Sequence, residues 1–161
     1  MSRTTSLISL LIFSIMSALA VRGLLSASDM NGQTLLNLGL ASLNLEYTIN
    51  TGINFGLAGE ASNSRQLQLA ALAFVVCFAI IVWGVRSDAR WNSTIAGLFA
   101  GGGLANALER ILYGGVFDYL NVSFIFYNNP FSFNVADIYI FVGALMFIFK
   151  PYDEETRSRL H

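Results

Sequence analysis

Two aspartates, Asp118 and Asp137, stand in the last third of a chain in which only 12% of residues are charged. Two carboxylates held in one site can share a single proton, because like charges so close do not both ionise easily. Such a pair can hydrolyse a peptide bond. The ionised member takes a proton from the attacking water, and the protonated member donates to the carbonyl oxygen as it becomes negative. The composition excludes the main alternatives. The single histidine is the terminal His161, so neither a histidine-based triad nor a conventional zinc site can be assembled. The single cysteine, Cys77, lies in an apolar run and reads as a small buried hydrophobe. Any catalysis must rest on carboxylates, with no metal and no cofactor. Nine basic residues against ten acidic ones leave no excess with which to neutralise a nucleic-acid backbone, so nucleic acid is set aside as a partner.

The elements that must position these carboxylates are helices in a bilayer. The 161 residues are 55% hydrophobic with a mean hydropathy of +0.59, the composition of a membrane protein. A helix needs roughly 20 apolar residues to cross the hydrocarbon core. Four stretches qualify as predicted crossings: 7–25, 67–85, 91–112 and 135–149. The chain therefore reads as one all-α membrane domain over 1–161 with four transmembrane helices. The connections 28–66 and 113–134 form a small β-like or amphipathic surface element. Six of the nine cations, Arg3, Arg86, Arg90, Lys150, Arg157 and Arg159, fall on one side of this arrangement. Both termini are then cytoplasmic and both long connections extracytoplasmic, with Trp83 and Trp91 as interfacial anchors. A competing reading makes the amino terminus a cleaved secretory signal ending at Ala18-Leu19-Ala20. It is disfavoured because the run stays apolar beyond Ala20 and its removal would put the termini on opposite sides.

Depth brings the aspartates together. At about 1.5 Å per residue, Asp137 lies roughly 20 Å from Lys150 along the fourth helix, in a core of about 30 Å. Gly114 and Gly115 should end the third helix, since continuing it from Trp91 would carry Asp118 roughly 40 Å, beyond the hydrocarbon. Antiparallel third and fourth helices then set both carboxylates at the outer boundary. A purely structural role remains open for Asp137, as the third residue of a helix capped by Asn134. Asn106 and Arg110 share a face of the third helix near Asp118. Arg110 can orient a substrate carbonyl, stabilise a carboxylate, or simply snorkel to the headgroups. Gly101, Gly102 and Gly103 read as close helix packing, not as a phosphate loop.

The blocks GGGLANALERILYGGVFDYL (101–120) and FNVADI (133–138), with NTGINF (50–55) and LNLEY (43–47) before them, resemble the bacterial lipoprotein signal peptidase (signal peptidase II) family. That resemblance implies a four-helix intramembrane aspartyl endopeptidase of the cell inner membrane. It removes signal peptides from diacylglyceryl-modified prolipoproteins, cutting before the lipidated cysteine, and is a target of globomycin-type inhibitors. Asp118 and Asp137 match the family's catalytic aspartates; Asn50, Gly52, Asn106, Arg110 and Asn134 match its supporting residues. Three departures stand out. The usual Asp-x-x-x-Lys at the end of the first crossing is Ala18 and Arg22, the usual Asp-Arg is Glu109-Arg110, and the small pair after Gly52 is Ile53-Asn54.

Two other readings compete: a noncatalytic relative that binds lipidated segments, and a small proton-coupled transporter. A transporter should hold its acids near the midplane, whereas these sit toward one face. With Ala18 four positions earlier, Arg22 finds no carboxylate on its own helix and is expected to matter less than Arg110. Asp137, in the first turn of a helix, is expected to be the more ionised carboxylate. Asp118 is expected to hold most of the shared proton unless Arg110 contacts it directly.

Overall fold

The computed structural model of the chain describes residues 2–52, 62–127 and 129–150. Among the described residues there are four helices: α1 (Arg3–Ser26), α2 (Asn63–Arg86), α3 (Arg90–Tyr113) and α4 (Val135–Phe149). The first three extend a few residues past the apolar stretches. Ser2 and Ser62 cap α1 and α2 by accepting the Thr5 and Arg65 backbone N–H groups, so polar residues at these ends stay helical. α3 stops at Gly114, whose φ of 72° is the left-handed conformation that glycine adopts at least cost. Among the described residues, α1 and α2 are the helices both long and apolar enough to cross a membrane. α4 is apolar but has 15 residues, about 22 Å of rise.

α3 is less apolar because it faces protein. It packs against all three other helices, and Ala96, Ala100 and Ala105 on it are completely buried. Outward positions of the other helices, such as Phe13, Phe78 and Phe141, are exposed apolar side chains. Successive residues on a helix turn by about 100°, so three consecutive glycines aim in three directions. A Cβ at Gly101 would lie 2.6 Å from Ser14 Cβ of α1, one at Gly103 2.6 Å from Cys77 Sγ of α2, and one at Gly102 would collide with the Ala136 carbonyl of α4. The glycine run therefore gives each neighbouring helix one point of close approach.

The two connections build a four-stranded antiparallel sheet, β1 (Thr34–Asn37), β2 (Ala41–Asn50), β3 (Val116–Phe124) and β4 (Ser132–Phe133), in the order β1-β2-β3-β4. The surface element is thus a defined sheet, and Asp118 sits on its strand β3 rather than at a helix end. Leu45, Phe117 and Tyr119 form a buried cluster on which Val21, Leu25 and Val135 pack, tying the sheet to the helices. Ala18 is buried with Ala105 and Ala136 where α1, α3 and α4 meet. Arg3 pairs with Asp88 at 3.0 Å, and Lys150 lies against Trp83, so Arg3, Arg86, Arg90 and Lys150 gather at the bundle end away from the sheet.

Candidate active site

Strand pairing delivers Asp118 to the start of α4. β3 leaves Gly114-Gly115 and pairs with β2, setting Thr48 opposite Asp118 and Asn50 opposite Val116. On its other edge Leu120 stands opposite Phe133, the residue before the α4 cap. Tyr119 completes the junction: it is 1% exposed, and its hydroxyl accepts the Val135 backbone N–H at 3.1 Å. Burial pushes the Tyr119 phenol up to about 12, which keeps it neutral.

Asn134 caps α4 by accepting the Asp137 N–H at 3.1 Å, and Asp137 Oδ2 accepts the Asn134 N–H at 3.0 Å in return. The structural role weighed for Asp137 is therefore real, and it coexists with placement in the polar cluster. The Asn134 side-chain amide faces the other way, donating to Asp118 Oδ1 at 2.8 Å and to Asn106 Oδ1 at 3.2 Å. Asn106 donates to Asp137 Oδ1 at 2.8 Å, and Asn50 donates to Asp118 Oδ2 at 3.0 Å. All four carboxylate oxygens thus receive an N–H donor, and Asn134 touches both aspartates.

Gly52 explains its own position. Its N–H donates to Asn50 Oδ1 at 2.9 Å, and its φ of 100° makes the turn that permits this bond. With its amide oxygen occupied, Asn50 turns its NH₂ toward Asp118. Asp118 is 3% exposed, and burial raises its carboxyl to about 6 despite the bonds from Asn50 and Asn134, with nearby Asp137 raising it further.

Arg110 makes its hydrogen bonds to Gln66 Oε1 at 2.8 Å and to the Asn50 carbonyl at 3.4 Å. Direct contact with Asp118, the arrangement that would have reversed the protonation order, is not among them. Gln66 is 2% exposed, and its Nε2 also donates to the Thr51 carbonyl at 2.6 Å. Sequence reasoning passed over Gln66, since a glutamine just ahead of an apolar run looks like an interfacial residue. A polar group within the first turn of a helix that must pass the site was the available signal.

Arg22 finds its partner on another helix. Its own helix offers no carboxylate, but Glu109 on α3 places Oε2 3.2 Å from Arg22 Nε, a charge contact without hydrogen-bond alignment. The guanidinium lies 3.4 Å from the Tyr113 ring centroid. Glu109 Oε2 also accepts the Phe117 N–H at 2.8 Å, one residue before Asp118. Ala18 and Glu109 thus make a coherent exchange: the carboxylate reaches Arg22 from α3, and a small residue fills the helix contact. The pair Ile53-Asn54 lies outside the described residues.

The class of protein to which this fold and this carboxylate pair point is an aspartic peptidase working in a membrane. A family model described as signal peptidase (SPase) II matches residues 6–152. The chain belongs to the signal peptidase II family, a family of aspartic endopeptidases. Among its relatives, the lipoprotein signal peptidase of Aeromonas hydrophila is 30% identical over 117 residues, covering 71% of this chain and 70% of that protein. The lipoprotein signal peptidase of Vibrio cholerae is 34% identical over 115 residues, covering 70% and 67%. Two solved structures described as bacterial membrane enzymes share the fold. One has a TM-score of 0.74 at 18% identity and covers 92% of this chain and 95% of that one. The other has a TM-score of 0.70 at 19% identity and covers 89% and 85%.

Proposed function

We propose that Asp118 and Asp137 are the catalytic dyad of a single-domain intramembrane endopeptidase that removes signal peptides from diacylglyceryl-modified prolipoproteins, cutting before the lipidated cysteine. The observation that carries this is Asn134: its side chain donates to Asp118 at 2.8 Å and its main chain to Asp137 at 3.0 Å, so one residue holds both carboxylates. Asp137, in the first turn of α4 against a backbone N–H, is the ionised base that activates water. Asp118, its carboxyl raised to about 6 by burial, takes up a proton more readily than an ordinary carboxylate and, once protonated, gives it to the substrate carbonyl oxygen. Asn50, Asn106 and Asn134 hold the two carboxylates, Gly52 aims Asn50, and Arg110 with Gln66 presents a charge at the rim for a substrate carbonyl.

All four helices cross the cytoplasmic membrane of a bacterium, with both termini cytoplasmic and the sheet on the extracytoplasmic side. Support comes from the cations Arg3, Arg86, Arg90 and Lys150 at the end of the bundle opposite the sheet. Lipid bathes the outward apolar faces, and globomycin-type inhibitors compete at the dyad. Purified protein mixed with a fluorescent diacylglyceryl prolipoprotein peptide tests the reading. Cleavage should be lost in both Asp118→Asn and Asp137→Asn, with the fold retained in detergent. Turnover by either variant rejects the dyad, and binding without cleavage by the parent chain makes it a noncatalytic relative.

A further inference from the structure

Far from the aspartates, the carboxyl-terminal halves of α2 and α4 leave a groove over the amino-terminal half of α3. Its volume is about 520 Å³, and it is lined by apolar side chains, among them Ala79, Trp83, Ile95, Phe99, Ala144 and Phe147. Small Ala79 and Ala144 create the hollow, and Ile95 and Phe99 form its floor. Its mouth is cationic. Lys150 Nζ lies 5.0 Å from the Phe147 ring centroid and 5.5 Å from that of Trp83, and Arg86 and Arg90 belong to the same end of the bundle.

We infer that this groove holds one acyl chain of an anionic membrane phospholipid, with the phosphate of the headgroup at Lys150. The volume lies within the roughly 300–1,000 Å³ of small-molecule sites. Charge argues the same way. A signal peptide carries its positive segment at its amino end, which would meet like charge at Lys150, whereas a phospholipid phosphate meets opposite charge. A polybasic end of this kind attracts anionic lipid at the cytoplasmic leaflet. The groove adds an apolar slot that distinguishes a seated chain from the lipid around every outward face.

Fluorescence of Trp83 tests this, because bromine on an acyl chain quenches a neighbouring indole. The chain has two tryptophans, so Trp91→Phe makes Trp83 the sole reporter. The protein is reconstituted in phosphatidylcholine bilayers holding a minor fraction of brominated phosphatidylglycerol or the same fraction of brominated phosphatidylcholine. The anionic lipid should quench several-fold more. Lys150→Gln, a surface change, should abolish that preference, and Ala144→Phe should lower quenching by the anionic lipid to the zwitterionic level. Equal quenching by the two lipids in the parent overturns the inference, as does a preference that survives Lys150→Gln. Relief of anionic-lipid quenching by an added signal-peptide helix overturns the assignment of the occupant.

Discussion

Asp118→Asn should remove activity and, above about pH 6, increase stability. The buried carboxyl titrates at about 6 against an ordinary 3.8. Between those values the folded chain binds a proton that the unfolded chain has released, so stability falls as pH rises through the window. The loss is complete above the folded pKa and corresponds to about 3 kcal/mol. Asparagine never ionises and escapes it. The substitution has its own cost. Both oxygens of Asp118 accept amide N–H groups, from Asn134 and Asn50, so a new NH₂ must face one of them. One lost bond costs about 1 kcal/mol. The variant should therefore be less stable than the parent by about 1 kcal/mol near pH 4 and more stable by about 2 kcal/mol near pH 7.5. Unfolding in detergent micelles at the two pH values measures the difference. A difference that does not change with pH, or a variant less stable than the parent near pH 7.5, refutes the argument that burial raises Asp118.

Arg22→Ala should cost about 3–5 kcal/mol of stability, because it strands Glu109, whose side chain is 4% exposed. A chain carrying both Arg22→Met and Glu109→Gln should unfold later than the single variant, and earlier unfolding would deny the pair. Arg110→Ala, whose partners are the uncharged Gln66 and Asn50, should lose more kcat/KM than stability, which parallel peptide-cleavage and unfolding assays separate. Tyr119→Phe strands the Val135 N–H and should lower stability by about 1 kcal/mol. It should also reduce kcat more than KM by loosening the start of α4, and unchanged kcat in steady-state cleavage would contradict that. Gly102→Ala, which drives a methyl into the Ala136 carbonyl, should destabilise by at least about 1–3 kcal/mol, whereas Gly23→Ala, with open space around it, should be neutral or stabilising by up to about 1 kcal/mol in thermal unfolding.

Much of this molecule was legible without coordinates because its signals are local. Apolar runs marked the helices, and Asn134 with Asp137 three residues later marked the start of α4 through cap geometry that depends on adjacent residues alone. Gly114 marked the end of α3 because few other residues adopt its φ. The charge pattern separated the two ends of the bundle, and the short blocks around Asn50, Asp118 and Asp137 identified the family.

Tertiary structure decided what depends on residues far apart in the chain. Local reasoning gave Arg22 no partner because its carboxylate stands on another helix, 87 positions away. Gln66 looked interfacial until Arg110 and Thr51 were seen on either side of it. Gly101, Gly102 and Gly103 read as packing residues from sequence, but that they meet α1, α4 and α2 respectively depends on how the helices are arranged around α3. The raised carboxyl of Asp118 could not come from its motif. Local sequence indicated a group near a helix end, whereas long-range strand pairing buried it, and burial is the main cause of the rise.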